Sequence, residues 1–319
     1  MVQDPNLKVF FNGEVLPVGE ARISVFDHGV LYGDGVFEGL RSYGGAVFKL
    51  EEHTRRLFAS AKCIALDIGM TPEAMYQATL DTLAANGMYG TAYIRTVVTR
   101  GEGDLGINPR KCYGKPTVFI IAADIELYPA FIYEHGLRVV TLSVPQKSIA
   151  GASAMVKSLN YLNNILGALQ VNNYNAWMRG RAFKELTNDE KLLFVGEGIH
   201  LSPSGHVTEA TADNLFTVKA GCLCTPPVSE GMLGGITRGS VLEMACELGI
   251  NARVEQMTVH DLYTSDECFL TGSAAELVPV REIDGRRIGD GVASFDVYSR
   301  LKEHFPEYVA RYSTPVPRK

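Results

Sequence analysis

The chain has 319 residues, 46% apolar and 21% charged, and thirty basic against thirty-six acidic residues give a formal net charge of −6. That length exceeds the usual single domain, so two domains are expected, and the ordinary globular composition excludes a low-complexity or disordered chain. The mild acidity, with no block of like charge, argues against a nucleic-acid partner.

The opening MVQDPNLKVFFNGE lacks the basic region and apolar core of a signal peptide, and the longest apolar runs, such as TVFIIAA at 117–123, are strand-sized. A cytoplasmic protein without a membrane span is expected. The cysteines at 63, 112, 222, 224, 246 and 268 are scattered, and Cys222-Leu-Cys224 has no matching second pair. No zinc or other metal site is expected, and the thiols should be reduced and mostly buried.

Asn12-Gly13 between apolar runs at 7–11 and 14–17 predicts a β-hairpin. Residues 23–40, ISVFDHGVLYGDGVFEGL, carry glycines at 29, 33, 35 and 39. They predict a tight turn into a strand, with backbone brought close to another group. A second hairpin is expected at Gly44-Gly45. Residues 50–66 form a helical pattern with Leu57, Ala61, Ile64 and Ala65 inward, and Arg56 at its edge reads as solvent-facing. Thr71-Pro72-Glu73 starts a helix running to about Ala85. Strands are expected at 92–99, with Arg95 inside, and at 117–123. Residues 124–136 read as irregular. They supply the connection (127–136) between a domain at 1–126 and one at 137–319.

In the second part, LRVVTLSV opens a strand and is followed by MVKSLNYLNNILGALQVNN at 155–173. Lys157 stands at the entrance of a helix whose Leu159, Leu162, Ile165, Leu166 and Leu169 share one stripe, expected to be buried. A lysine there either snorkels to water or has a function that justifies its burial. Strands are expected at 216–219 and around CFLT and LVPV, a helix from Thr237 or Arg238 to Leu248, a hairpin turn at Asp284-Gly285, and a C-terminal helix. Gly235-Ile236-Thr237 at a helix start and Thr271-Gly272-Ser273 after a strand are natural anion cradles. Taken with Lys157 and the acid Glu209, they are compatible with a pyridoxal phosphate site, although each element alone is weak.

Seven segments decide further. In order these are VLYGDGVFEGLRSY, HTRRLFASAK, AYIRTVVTRGEGDLGINPRKC, VKSLNYLNNILG, GHVTEATADNLFTVK, LGGITR and FLTGSAAE. Through them the chain resembles, over roughly residues 7–310, the fold-type IV pyridoxal-phosphate enzymes, the class IV aminotransferases. It looks most like the branched-chain amino acid aminotransferases.

The resemblance implies a mixed α+β and α/β fold, with a small N-terminal α/β domain and a larger C-terminal pseudo-barrel domain that binds pyridoxal 5′-phosphate. It implies that Lys157 carries the cofactor covalently and is the catalytic residue. Glu209 would pair with the pyridine nitrogen, Tyr161 with the ring hydroxyl, and Arg56 with the phosphate, against the solvent-facing reading above. Ile236, Thr237, Gly272 and Ser273 would complete the phosphate cup. Tyr32, Phe37, Gly39, Tyr93, Arg95, Gly272, Ser273 and Ala274 would surround the substrate, with Arg95 accepting the second carboxylate of glutamate. Substrates would be amino acids and 2-oxo acids, with the amino group of L-leucine, L-isoleucine or L-valine passed to 2-oxoglutarate.

A homodimer, or a higher assembly of dimers, is implied as well, with the loop at 101–111 near the partner's substrate. Residues 177–199 depart from the family by being longer and more charged. A D-amino acid or (R)-amine transaminase and aminodeoxychorismate lyase share the cofactor residues. The Tyr93/Arg95 pair and the loop GEGDLGINPRKC favour the branched-chain reading. A fold homologue without catalysis is the alternative from another class.

Overall fold

The computed structural model describes residues 4–125, 128–151 and 154–318. The fold is mixed α/β and divides into two compact units. One comprises Met1–Ile125, Val156–Asn160 and Glu307–Lys319; the other comprises Glu126–Met155 and Tyr161–Pro306.

The chain opens with the hairpin β1 (Lys8–Phe11) and β2 (Glu14–Pro17), turned by Asn12 and Gly13, both at positive φ as a two-residue turn requires. A short helix α1 (His28–Tyr32) follows, where only a turn is expected. Asp27 caps it by accepting the Gly29 N–H, and Gly33 ends it in the left-handed region. Then come β3 (Gly35–Tyr43), β4 (Ala46–Phe48), α2 (Leu50–Cys63), α3 (Pro72–Ala85), β5 (Ala92–Thr99) and β6 (Thr117–Ala123). Helix α3 begins as predicted, with Thr71 accepting the Ala74 N–H and Pro72 in the first turn. Helix α2 stops three residues early. Leu57 and Ala61 are buried, but Ala65 lies beyond its end, exposed and at positive φ.

Residues 126 and 127, at the expected domain junction, lie outside the described residues. The rest of that stretch is not irregular throughout, because it holds α4 (Ala130–His135). After β7 (Leu137–Thr141), helix α5 is Leu162–Tyr174, so Lys157 lies five residues ahead of it in an extended segment. Helix α6 (Asn188–Leu193) comes next, with a capping box between Thr187 and Glu190. Then follow β8 (Val195–Leu201), β9 (Val207–Ala210), β10 (Asn214–Lys219), β11 (Cys222–Thr225), α7 (Ile236–Glu247), β12 (Ala252–Val254) and α8 (Val259–Tyr263). The chain ends through β13 (Glu267–Gly272), β14 (Glu276–Ile283), β15 (Arg286–Arg287), α9 (Asp296–Arg311) and β16 (Ser313–Pro315).

The first unit is organised on a seven-stranded sheet in the order β16-β4-β3-β5-β6-β1-β2. One face packs against α2 and α3 over a core that includes Val36, Leu40, Leu57, Ile94, Ile120 and Leu83. Because side chains alternate along a strand, the other face of β3 carries Phe37 and Gly39, and that of β5 carries Tyr93 and Arg95. The second unit has a nine-stranded sheet, with β12-β11-β10-β13-β14-β7-β8-β9 in line and β15 paired on β14.

One expectation fails. The leucine stripe of α5 is not buried: Leu162, Ile165, Leu166 and Leu169 are 67%, 53%, 45% and 52% exposed. The helix instead buries the opposite side, at Gly167 and Val171. A Cβ on Gly167 would sit 2.8 Å from Leu142 Cδ1 and 3.1 Å from His200 Cε1, so the missing side chain is what admits the helix backbone.

Candidate active site

In the first unit Lys157 is held by its backbone at two points. Its N–H donates to Ser60 Oγ on α2 at 3.2 Å, and its carbonyl accepts the Phe37 N–H of β3 at 3.0 Å. The neighbouring residues continue this edge pairing, as Ser158 bridges Val36 and the Leu159 N–H donates to Gly35 O. The half-buried side chain lies along the sheet face, with Nζ 4.6 Å from the centre of the Phe37 ring.

Arg95 stands over the same ring, its guanidinium carbon 4.6 Å from the centroid. It also donates to the Tyr93 hydroxyl at 2.8 Å. Gly39 lies opposite Arg95 in the β3–β5 pairing, and a Cβ there would overlap the Tyr93 hydroxyl. Phe37, Gly39, Tyr93, Arg95 and Lys157 are therefore one group. Tyr32 closes α1, over a third exposed, with its ring edge-on to His28 at 5.0 Å.

Behind β3 lies a charge network that the sequence reading missed. Glu38, 1% exposed, accepts from Arg56 Nε at 2.6 Å and Nη2 at 2.9 Å, and from His53 Nδ1 at 2.7 Å. Burial alone would raise the Glu38 carboxyl, but the Arg56 charge, followed by His53, holds it well below the usual carboxylate range. Burial lowers His53 against the upward pull of Glu38, and the Arg56 and Lys157 charges add to the lowering. His53 is thus a neutral imidazole whose Nδ1–H donates to an ionised Glu38. The signal in the sequence was an acid between Val36 and Leu40, on the inward side of a strand.

In the second unit Glu209 is buried on β9. It accepts from Gln146 Nε2 at 2.7 Å, the Leu233 N–H at 3.0 Å and Asn214 Nδ2 at 3.3 Å. Gln146 and Asn214 were not singled out from sequence. Tyr161 precedes α5, and Lys147 Nζ lies 5.5 Å from the centre of its ring. Burial lowers the Lys147 ammonium while the Glu209 charge raises it.

Helix α7 starts at Ile236, with Gly235 as its cap residue and no side chain capping it, and Thr237 is buried in the first turn. A Cβ on Gly235 would overlap Asn214 Oδ1, and one on Gly272 would overlap Asp213 Oδ1. Helix α7 packs on β13, which ends at Thr271 and Gly272, with half-buried Ser273 and Ala274 in the turn beyond. Among the described residues the Thr271 hydroxyl is buried without a hydrogen-bond partner.

Residues 35–283 match the sequence profile described as amino-transferase class IV. The chain belongs to the class IV aminotransferases. A Methanocaldococcus jannaschii protein provisionally named a branched-chain-amino-acid aminotransferase is 45% identical, with 97% of this chain and 99% of that protein aligned. The crystal structure of the Escherichia coli branched-chain amino acid aminotransferase superposes with a TM-score of 0.87 at 30% identity, covering 97% of this chain and 99% of that one. The Thermoproteus uzoniensis branched-chain aminotransferase, solved with norvaline, gives 0.83 at 31% identity, covering 98% and 99%.

Class IV aminotransferases depend on pyridoxal 5′-phosphate, and this chain has the groups such a cofactor needs. It offers an amine on an aromatic face, a buried carboxylate held by amide donors, and a helix N-terminus without a side-chain cap. It also has a buried hydroxyl with no partner among the described residues, and glycines at 235 and 272 where a Cβ would overlap the Asn214 and Asp213 side chains. Among the described residues no helix is long and apolar enough to cross a membrane.

Proposed function

We propose that this class IV aminotransferase moves the amino group of L-leucine, L-isoleucine or L-valine to 2-oxoglutarate, giving the branched 2-oxo acid and L-glutamate. The carrying observation is the Phe37 ring, with Lys157 Nζ and the Arg95 guanidinium each 4.6 Å from its centre. An apolar plate beside an amine and a guanidinium suits a substrate with an apolar side chain and a carboxylate. The guanidinium also suits the second carboxylate of glutamate. The names of the relatives point the same way.

When bound, pyridoxal phosphate supplies the electron sink and stores the amino group between the two halves of the reaction. Lys157 would carry it, and its Nζ would move the proton at the substrate Cα. Glu209 would hold the ring nitrogen, Tyr161 the ring hydroxyl, and Arg56, Ile236, Thr237, Gly272 and Ser273 the phosphate. Arg95 and Tyr93 read the substrate carboxylates, Gly39 leaves room for the substrate, and Phe37, Tyr32 and Ala274 meet its side chain.

The working form is a homodimer, supported by the exposed apolar stripe of α5 and by Leu105 and Ile107, 72% and 84% exposed in the loop at 101–111. Cytoplasmic localisation agrees with six cysteines present as free thiols.

The test assays the purified protein for the visible absorbance of bound cofactor and then with L-leucine, D-alanine and aminodeoxychorismate side by side. Turnover of L-leucine with 2-oxoglutarate is the expected result. Activity on D-alanine without L-leucine, or pyruvate release from aminodeoxychorismate alone, would overturn the reading.

A further inference from the structure

Two groups of the first unit are set by the same pair of elements. Helix α2 contributes Arg56 and, one turn on, Ser60, whose Oγ accepts the Lys157 N–H at 3.2 Å. Strand β3 contributes Phe37, whose N–H binds the Lys157 carbonyl, and, as the next residue, Glu38, which grips Arg56 through two of its nitrogens. Adjacent residues of a strand point to opposite faces. One dipeptide, Phe37-Glu38, therefore ties the Lys157 backbone through the Phe37 N–H in the plane of the sheet and the Arg56 guanidinium through the Glu38 side chain on the helix-covered face.

Glu38 is itself prevented from turning. Its carboxylate accepts from His53 Nδ1 at 2.7 Å, and His53, 1% exposed, comes from α2 one turn before Arg56. Three residues from two elements thus form a closed arrangement in which the plane of the guanidinium is fixed by a bidentate pair and the carboxylate plane by a second donor. A fork held in this way loses little side-chain entropy when it grips an oxyanion.

We propose that Glu38 and His53 are positioning residues for the cofactor's phosphate, fixing the Arg56 guanidinium in register with Lys157. The inference rests on the reading above that Arg56 binds the phosphate. It assigns the selectivity for a phosphorylated pyridoxal partly to two residues that touch neither cofactor nor substrate.

The test compares pyridoxal 5′-phosphate with pyridoxal, which has the aldehyde and ring but no phosphate. The affinity of the full-length apoprotein for each is read by absorbance titration, with the folded fraction checked by thermal unfolding. Three variants keep the charge: Glu38→Asp draws the carboxylate back by one methylene, His53→Phe removes the donor while keeping a ring, and Arg56→Lys removes the fork. In Glu38→Asp we expect the preference for the phosphorylated form to fall about tenfold, with pyridoxal binding changed by less than about twofold. His53→Phe should give a smaller fall of the same kind.

If Arg56→Lys lowers the preference but Glu38→Asp and His53→Phe both leave it at the wild-type value, the positioning role is wrong and the phosphate role of Arg56 stands. If Arg56→Lys also leaves it unchanged, both fail. Should Glu38→Asp not fold, the His53→Phe ratio alone decides.

Discussion

Helices α2 and α5 invert each other. Helix α2 buries polar residues, with His53, Thr54 and Ser60 among its buried positions, and directs Arg56 to a buried carboxylate. Helix α5 does the reverse, leaving Leu162, Ile165, Leu166 and Leu169 in the open while a glycine and a valine form its buried side. Judged by hydrophobicity alone, each helix is misread. A buried polar face remains stable only where every group has a partner, and an exposed apolar face persists where another surface covers it. The difference therefore separates a polar face whose partners lie within the chain from an apolar face that the chain itself leaves open.

The most severe way to break the α2 side of this comparison is Glu38→Ala. It leaves the Arg56 charge and the His53 donor facing a cavity, and breaking a buried pair from one side costs about 3–5 kcal/mol. Chemical denaturation should show that loss. A loss below about 1 kcal/mol would mean that the network is not what keeps the polar face of α2 buried.

The buried side of α5 has its own test. Gly167→Val places a branched carbon where a Cβ already lies 2.8 Å from Leu142 Cδ1 and 3.0 Å from Thr211 Cγ2. Overpacking of this kind costs about 1–3 kcal/mol, read again by denaturation. A neutral outcome would show that the α5 backbone is free to move away from the sheet.

The pH dependence of the network sharpens the α2 side further. The group concerned is His53, faced by Glu38 from β3, Arg56 from its own helix and the charge of Lys157. Its folded pKa is lowered from the ordinary 6.5, so the folded state holds fewer protons than the unfolded one as pH falls. The His53 contribution is therefore complete above pH 6.5 and is lost progressively below it. Wild type should lose stability relative to His53→Phe from about pH 6.5 downward, at up to about 1.4 kcal/mol for each unit by which the pKa is lowered. Glu38, also lowered, adds an acid loss that begins only below its ordinary 4.5 and is present in both proteins. Parallel stability curves for the two proteins between pH 6.5 and 4.5 would contradict a neutral His53.

Much of the fold was legible because turn chemistry is local. The pairs Asn12-Gly13, Gly44-Gly45 and Asp284-Gly285 each turn a hairpin with both residues at positive φ, and Thr71-Pro72 opens a helix where predicted. The grouping of Phe37, Tyr93, Arg95 and Lys157 is not visible as a spacing. It depends on pairing across strands, with Gly39 opposite Arg95, and only the resemblance to known enzymes pointed to it. Glu38 and His53 escaped altogether. A charge satisfied by tertiary partners looks in the sequence like any surface charge. The burial of the α5 stripe was misjudged for the opposite reason, since periodicity reveals that a helix has an apolar face and not what that face meets.

The smallest expected effect on the chain itself, and the sharpest on the comparison, is Leu166→Asp. Leu166 is 45% exposed, so replacing it removes little packing within the chain, and substitutions at such surface positions stay within about 0.5 kcal/mol. If α5 faces a second copy, twofold symmetry repeats the change in each protomer and sets a buried carboxylate in each half of the interface, where an unpaired charge is strongly disfavoured. Sedimentation should then show a shift toward monomer. The unfolding midpoint of wild type should rise with protein concentration, while that of the variant stays flat, because only an associated folded state is stabilised by mass action. An unchanged sedimentation coefficient would assign the assembly to another surface, and the contrast with α2 would then concern exposure alone.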